Sequence, residues 1–290
     1  MVNLYNKMIT INESVYTAVL QGIVKETKSR AGQPQLIVGG DGSGKSFLLH
    51  RLYDSVSSEE TFEPIWIDGR TVFSSKDILR GKYERRCILF VDDFQYYLRR
   101  TSNSEQFLLR GALSGEKAPI LIASVNAVMP QLTSYGSAFF EGFRIHYLKL
   151  LSEDEIHLFA DQASLPYERI IYLLKYLPRT PRSVLFACEI IKETESDRAA
   201  IELLVQCVSP LYQYKFSNLL PQQQRIMYFL SGETDGLRLS GLRKKTGQNA
   251  GNISPYLTQM IETGLITKEA KSARDGCYRI ADPLFDLWLR

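Results

Sequence analysis

Cysteine and histidine are scarce in this chain, which has four cysteines and three histidines among 290 residues. Neither type recurs at the short spacings that hold zinc, and the cysteines are too scattered to suggest a disulfide framework. The sequence therefore gives no support to a zinc site or to a histidine-based nucleophile, and it favours reduced thiols. The positions are Cys87, Cys188, Cys207, Cys277, His50, His146 and His157.

Long hydrophobic runs are also missing. No apolar stretch approaches the roughly 20 residues that cross a bilayer. The densest runs, at 88–91 and 119–125, have the length of buried strands. The opening residues, MVNLYNKMITINES, lack the apolar core of an export signal. We therefore expect a cytoplasmic protein that has no membrane partner.

A large excess of charge of one sign is also missing, because 35 Lys or Arg are balanced by 32 Asp or Glu and the net charge is only +3. Residues 221–290 carry this excess, with ten Lys or Arg against seven Asp or Glu. A mildly basic C-terminal segment permits contact with nucleic acid without requiring it.

Residues 1–150 alternate between helical and continuously apolar patterns. The apolar runs LIV, CILFV and ILIA are typical of strands buried on both faces. This alternation predicts an α/β fold with a parallel sheet and helices on both of its faces. The expected helices cover 12–29, 45–53, 76–84 and 104–113, and the expected strands cover 35–38, 64–67, 87–91 and 119–125.

Beyond Leu151 the strand patterns stop. Ser152 and Glu155 have the spacing of a capping box, which opens a helix. Further helices are expected at 167–176, 181–192 and 197–214. We interpret 151–216 as a small helical lid domain.

The final segment, 217–290, has a third pattern. Helices are expected at 221–230, 239–246 and 252–263, followed by strands at 265–269 and 276–280 with a polar link at 270–275. Three helices followed by a hairpin are the layout of a winged helix-turn-helix.

The phosphate-loop motif G-x-x-x-x-G-K-[ST] is matched in full by GGDGSGKS. Its glycines let the backbone approach closely, and the loop N–H groups and the following helix N-terminus suit phosphate. Lys45 would reach the β and γ phosphates, and the Ser46 hydroxyl would bind magnesium. The loop therefore predicts binding of ATP with Mg²⁺. Its residues are Gly39, Gly40, Asp41, Gly42, Ser43, Gly44, Lys45 and Ser46.

Two carboxylates follow the buried strand ILFV. Ligands of parallel sheets lie outside the carboxyl ends of the strands, where Asp92 and Asp93 emerge. We expect Asp92 to hold magnesium through water and Asp93 to orient or deprotonate the attacking water. Ser124 or Asn126, at the end of the next strand, could contact the γ-phosphate or that water.

Arginines could complete the site. Arg182, at the start of a helix in the lid segment, could fold over the phosphates and couple nucleotide state to domain closure. An arginine from a neighbouring subunit could neutralise charge in trans. Its candidates in this sequence are Arg99, Arg100, Arg110 and Arg144.

Five stretches together resemble the archaeal-type P-loop ATPases of the STAND/AAA+ branch, which also occur in bacteria. They are VGGDGSGKS, VDDFQYY, LIAS, LPRTPRS and IADPLFDLWLR. The resemblance implies a P-loop sheet of the ASCE/AAA+ type with a helical lid and a C-terminal winged helix. It makes Asp92 the magnesium acid, Ser124 the first sensor and Arg182 the second sensor.

The chain also departs from that family. Asp93 stands where the family has Glu, and an acid one methylene shorter suggests slow or partner-stimulated hydrolysis. The family's S-P-L-Y-G-R stretch appears as SAFFEG, so its arginine is missing and Arg144 lies two residues on. The N-terminal R-E-x-E box is absent, which leaves adenine recognition unassigned.

Two functions remain open. In the first, the chain is an ATP-dependent switch for a DNA-associated assembly of the transposition, replication-loading or regulatory type. Its winged helix would then contact the bases of double-stranded DNA through Asn249, Asn252, Ser254, Tyr256 and Gln259. The basic residues that could meet the phosphates are Lys244, Lys245, Lys268, Lys271 and Arg274. In the second, it is a signalling or phage-defence ATPase whose winged helix binds protein or autoinhibits. Either function is compatible with a nucleotide-dependent homo-oligomer or with a protein partner.

Overall fold

The computed structural model describes residues 13–27, 33–81, 83–115, 118–233, 235–247, 249–272 and 275–290. The described residues form two compact units. The first reaches Glu155 and also includes Thr180–Arg182, and the second comprises Ile156–Arg179 and Ser183–Arg290. Expectations for residues 1–12 and for the other gaps lie outside the described residues.

The first unit alternates helices and strands, as the sequence predicts. Its elements are α1 (Glu13–Thr27), β1 (Gln35–Val38), α2 (Lys45–Ser57), β2 (Phe62–Asp68), α3 (Ser75–Ile78), β3 (Arg86–Asp92), α4 (Gln95–Arg100), α5 (Asn103–Ala112), β4 (Ile120–Val125), α6 (Pro130–Thr133) and β5 (Arg144–Tyr147).

The five strands of this unit form one parallel sheet in the order β2-β3-β4-β1-β5. β4 therefore lies between β1, which precedes the glycine loop, and β3, which precedes the acidic pair. In the register, Ile37 lies opposite Ser124 and Asp68 lies opposite Asp92. This order brings the carboxyl ends of three strands to one edge of the sheet.

Alternate strand residues enter two apolar clusters. Leu89 and Val91 of β3 belong to one cluster, while Ile88 and Phe90 belong to the other. All four side chains are fully buried. Burial on both faces explains why these strands read as continuous apolar runs.

Several expectations for this unit need correction. The helix expected at 76–84 is much shorter than predicted, because α3 covers only Ser75–Ile78 and Leu79, with a φ of −88° and a ψ of 72°, already leaves the helical conformation. β5 and α4 were not expected. β5 has four residues, R-I-H-Y, and exposed residues at both of its ends, so its apolar signal is too short to recognise.

The second unit is mostly helical. Its elements are α7 (Glu153–Ala163), α8 (Tyr167–Leu173), α9 (Pro181–Lys192), α10 (Asp197–Ser217), α11 (Pro221–Leu230), β6 (Leu237–Arg238), α12 (Leu239–Thr246), α13 (Ala250–Glu262), β7 (Ile266–Ser272), β8 (Asp275–Ile280) and α14 (Pro283–Leu289). The first residues of α7 and of α9 belong to the first unit.

The capping box at Ser152 is present, because Glu155 N–H donates to Ser152 Oγ while Ser152 N–H donates to Glu155 Oε2. The polar link expected at 270–275 was drawn too long, because β7 extends to Ser272 and β8 begins at Asp275. β6 adds a third antiparallel strand, which gives the order β6-β8-β7. Across the described ranges, no helix combines the length and apolarity of a membrane span.

The carboxylate of Asp282 connects the C-terminal helix α14 to α10 by a hydrogen bond. Asp282 Oδ1 accepts the N–H groups of Leu284 and Phe285, which caps α14, while Oδ2 accepts the Tyr212 hydroxyl at 2.7 Å. The Tyr212 ring stacks on Phe285 at 4.7 Å. Burial, aided by the contact with Asp282, raises the pKa of the Tyr212 hydroxyl, so it remains a donor. The DPLF stretch therefore has a structural role.

We predict that Tyr212→Phe lowers the free energy of unfolding by about 1–2 kcal/mol, because it leaves Asp282 Oδ2 without its buried donor. The midpoint of urea unfolding measures this loss. Tyr214→Phe, on the same helix but 70% exposed, is the matched control and should change little. Equal midpoints for the two variants would contradict the role given to Asp282.

Candidate functional site

The glycine loop connects β1 to α2 by two left-handed residues. Gly42 has a φ of +76° and Gly44 has a φ of +94°, values that side chains disfavour. Gly44 is the N-cap of α2 and offers no side-chain cap, so the helix N-terminus is available to an anion. Gly39, Ser43 and Lys45 are buried, Gly42 and Gly44 are half-buried, and Gly40, Asp41 and Ser46 are exposed.

The ammonium group of Lys45 lies folded against the loop. Its Nζ donates to Gly39 O at 2.8 Å and to Gly40 O at 3.1 Å. Burial lowers the pKa of Lys45, and the charges of Asp41, Asp93 and Asp92 oppose that effect. The loop lysine and the acidic strand end are therefore close enough to interact electrostatically.

The hydroxyl group of Ser124 is hydrogen-bonded to both residues of the acidic pair, Asp92 and Asp93. Ser124 is fully buried, and its hydroxyl donates to Asp92 Oδ1 at 2.5 Å while accepting the Asp93 N–H at 3.0 Å. The Asp93 N–H also approaches Asp92 Oδ1 at 3.1 Å. In this structure the only hydroxyl proton of Ser124 is engaged by Asp92. Its position therefore favours orienting Asp92 over the expected direct contact with a phosphate.

Asp93 has a left-handed backbone, with a φ of +54°. Aspartate tolerates this region better than most residues, although it remains uncommon. The turn directs Asp93 away from the strand path, and Gln95 Nε2 donates to its Oδ1 at 2.8 Å. Both Asp92 and Asp93 remain half-buried, so solvent reaches the pair.

Arg182 lies beside the glycine loop. Its N–H donates to Gly42 O at 3.2 Å, and a Cβ placed on Gly42 would approach Arg182 Cβ to 2.9 Å. The side chain of Arg182 is exposed. The structure thus brings the predicted second sensor to the loop, while Asn126 is exposed at the end of β4.

The four arginines considered for action in trans differ in their contacts. Arg100 donates to Arg70 O at 2.6 Å and lies over the ring of Phe73, and Arg110 donates to Ala138 O at 2.6 Å. Both are engaged within their own unit. Arg144 begins β5, at the end of the sheet opposite to the glycine loop. Arg99 is exposed on α4.

The segment Asp68–Arg70 was missed by the sequence reasoning. A Cβ on Gly69 would lie 2.5 Å from Asp93 O and 2.6 Å from Asp92 O. Arg70 forms a bidentate ion pair with Asp68, which raises the pKa of Arg70, and the charges of Asp93 and Asp92 add to the effect. The available signal was a polar Asp-Gly-Arg run at the end of β2, where parallel strands present ligand-binding residues.

The donor set at this edge suits a hard cation. Asp92 offers Oδ2, which has no hydrogen bond in the described part of the chain, and Ser46 offers an exposed hydroxyl. Magnesium takes one or two protein oxygens and completes its shell with water and phosphate. No cluster of three or more His, Cys, Asp or Glu that could hold a metal occurs among the described residues. This arrangement fits a magnesium ion bound together with a phosphate ligand.

Comparison with known proteins gives a clear result for the fold. The structure of Aeropyrum pernix ORC1 protein in complex with DNA matches with a TM-score of 0.57 and 11% identity, covering 96% of this chain and 91% of that one. A Thermotoga maritima RuvB variant matches with a TM-score of 0.50 and 13% identity, covering 93% and 90%. The chain therefore shares the overall fold of these two structures. The expected α/β class is therefore confirmed.

The sequence match to known proteins covers a smaller part of the chain than the structural matches do. The lipoprotein-releasing system ATP-binding protein LolD of Xanthomonas campestris pv. campestris (strain 8004) is 32% identical over 106 residues, which is 36% of this chain. The match spans 42% of that relative. No family model matches the chain.

We predict that Gly69→Ala lowers the free energy of unfolding by about 1–3 kcal/mol, because the added methyl group must displace the backbone of Asp92 and Asp93. Urea unfolding measures the loss. Gly111→Ala provides the control, since Gly111 is exposed in α5 and its Cβ would enter open space. We expect that control to be neutral or stabilising, and similar stabilities for both variants would contradict the close contact.

Proposed function

We propose that the chain binds ATP with Mg²⁺ between the Gly39–Ser46 loop and Asp92, and that it hydrolyses ATP to ADP and phosphate. The observation that carries the proposal is the junction at the end of β4. Gly39 N–H donates to Val125 O, while Asp92 and the backbone of Asp93 bond to Ser124. A complete phosphate loop and a carboxylate pair are thereby held by one strand.

Each residue has a chemical role in this proposal. The helix N-terminus and Lys45 bind the phosphate oxygens, and Ser46 with Asp92 would hold magnesium. When bound, magnesium neutralises charge on the β and γ phosphates. Asp93 orients the attacking water and accepts its proton, as the water oxygen bonds to the γ-phosphorus and the bridging oxygen leaves with ADP.

Turnover is proposed to be slow or stimulated by a partner. The carboxylate of Asp93 is one methylene shorter than glutamate, and two of the four candidate arginines are engaged within their own unit. Arg182 supplies a cation beside the loop in cis. A stimulating arginine, if Arg99 or Arg144 supplies it, comes from a second copy of the chain. The solution mass with an ATP analogue and magnesium distinguishes such a homo-oligomer from a monomer.

We predict that Lys45→Ala lowers Mg²⁺-dependent phosphate release about 10²-fold or more, because the phosphates lose their charged donor. Asp93→Ala should lower kcat about 10²-fold or more while leaving ATP binding nearly intact, since it removes only the proton acceptor. Phosphate release and nucleotide titration separate the two effects.

The matched control is Lys76→Ala, an exposed lysine of the same unit, which should behave as the wild type. If the wild type, Lys45→Ala and Asp93→Ala release phosphate at one background rate, the chain is not an ATPase of this design.

For the C-terminal segment we propose contact with double-stranded DNA. This proposal keeps the division into an ATPase core at 1–150, a helical lid at 151–216 and a winged helix at 217–290, in the STAND/AAA+ branch. Its support is the order α11, α12, α13 and the β7–β8 hairpin. Asn252, Ser254 and Gln259 are exposed on α13. The similarity to the ORC1 structure in complex with DNA supports the fold on which this proposal is built, and it carries no argument for DNA contact by this chain.

The second candidate is a signalling switch whose winged helix contacts protein or autoinhibits. Two ion pairs within residues 217–290 favour this second candidate. Lys245 pairs with Glu233, and Arg279 pairs with Glu269. Gln259 is also hydrogen-bonded, to Gln223 at 3.1 Å. Charges paired internally add little to phosphate binding, so this alternative has specific support.

DNA contact predicts a salt-dependent shift of labelled duplex DNA, with Lys244→Ala reducing the slope of log K against log salt by about one. Lys192→Ala, an exposed lysine of α9, is the control and should leave the slope unchanged. An absence of binding at low salt, with and without ATP, would eliminate the DNA proposal and leave the signalling one.

A further inference from the structure

Gln95 is a buried amide that contacts the proposed catalytic carboxylate. It begins α4 and is only 4% exposed. Its Nε2 donates to Asp93 Oδ1 at 2.8 Å, while its Oε1 is buried and has no hydrogen-bond partner among the described residues. Gln106 Oε1 is likewise buried without a partner among the described residues, so the orphaned oxygen does not distinguish Gln95. What distinguishes Gln95 is that its buried donor is directed at the carboxylate of Asp93, whereas Gln106 Nε2 donates to backbone oxygens and to the Thr101 hydroxyl.

The backbone of Asp93 is already held from three sides. Its N–H donates to Ser124 Oγ, and its carbonyl oxygen accepts the Tyr96 N–H at 3.1 Å. A Cβ added to Gly69 would lie only 2.5 Å from that same oxygen, so the third side is closely packed. Only the two side-chain torsions of Asp93 remain to be set. In the described part of the chain, Gln95 forms the one hydrogen bond to the Asp93 carboxylate, and Oδ2 has none.

We propose that Gln95 is a positioning residue that holds Asp93 Oδ1 and thereby presents Oδ2 to the attacking water. This inference rests on the proposed ATP hydrolysis and adds a residue to it. A short carboxylate on a left-handed turn has few contacts of its own. The buried amide of Gln95 supplies a hydrogen bond to Asp93 Oδ1 that solvent does not reach.

Gln95→Met tests this role because methionine fills a similar volume without a donor. We expect kcat for ATP to fall about 10-fold or more while KM stays within about twofold, since positioning affects the chemical step and the phosphate loop is unchanged. In an Asp93→Asn background the same substitution should have no further effect on the remaining rate, because the group it positions is gone.

Gln106→Met is the matched control. Gln106 is 2% exposed in the same unit, and its Nε2 donates to Leu98 O at 3.0 Å, away from Asp93. It should lose stability by a similar amount and keep the wild-type kcat. Equal losses of kcat in both variants would overturn the proposal in favour of a purely structural role.

Gln95→Glu provides an independent test through the pH dependence of kcat. It keeps the proposal testable if Gln95→Met does not fold. At neutral pH the introduced carboxylate repels Asp93, whereas its protonated form can donate to Oδ1. The ratio of its kcat to that of the wild type should therefore rise as the pH falls from about 8 to about 6. A ratio that is constant with pH would contradict the proposal.

Failure of the proposed ATPase function can be distinguished from failure of the role given to Gln95. A wild type without Mg²⁺-dependent hydrolysis overturns both the function and the inference. A wild type that hydrolyses ATP beside an equally active Gln95→Met overturns the inference alone.

Discussion

The carboxyl end of β4 holds the candidate site together. Val125 O accepts the N–H of Gly39, so it fixes the start of the glycine loop. One residue earlier, Ser124 O accepts the Phe94 N–H, and Ser124 Oγ contacts both Asp92 and Asp93. The strand order places β4 between β1 and β3, so one strand end sets the distance between the phosphate loop and the acidic pair. Catalysis by positioned groups depends on such fixed distances.

The same edge contains several locally unfavourable features. Asp93 has a positive φ, Lys45 is a buried cation, and Gln95 keeps a buried oxygen without a partner among the described residues. Gly69 permits a backbone approach that a larger residue would prevent. Features of this kind persist where the surrounding structure determines them, and they cluster at functional sites. The positive φ of Asp93, the close approach at Gly69 and the buried donor of Gln95 all meet at the acidic pair, which supports placing the chemistry there.

The sequence predicted the parts of the site that have strict chemical demands. The glycines, Lys45 and Ser46 follow a motif whose spacing is set by phosphate geometry, and Asp92 follows a buried strand. The strands β1, β3 and β4 were recognisable because burial on both faces requires continuous apolar runs. Gln95, Gly69 and Arg70 were missed because their contacts arise from a left-handed turn and from register between strands that are distant in sequence. The C-terminal DPLF stretch was noted only as a resemblance, since its partner Tyr212 is 70 residues away from Asp282.

The central claim is that the loop and Asp92 form one site for ATP and magnesium. Calorimetric titration of a non-hydrolysable ATP analogue, in Mg²⁺ and then in EDTA, tests it most directly for the wild type and for Asp92→Asn. The account predicts tight binding by the wild type in Mg²⁺, a loss of about tenfold or more in EDTA, and little response of Asp92→Asn to the metal. Affinity that ignores both magnesium and the substitution would contradict it.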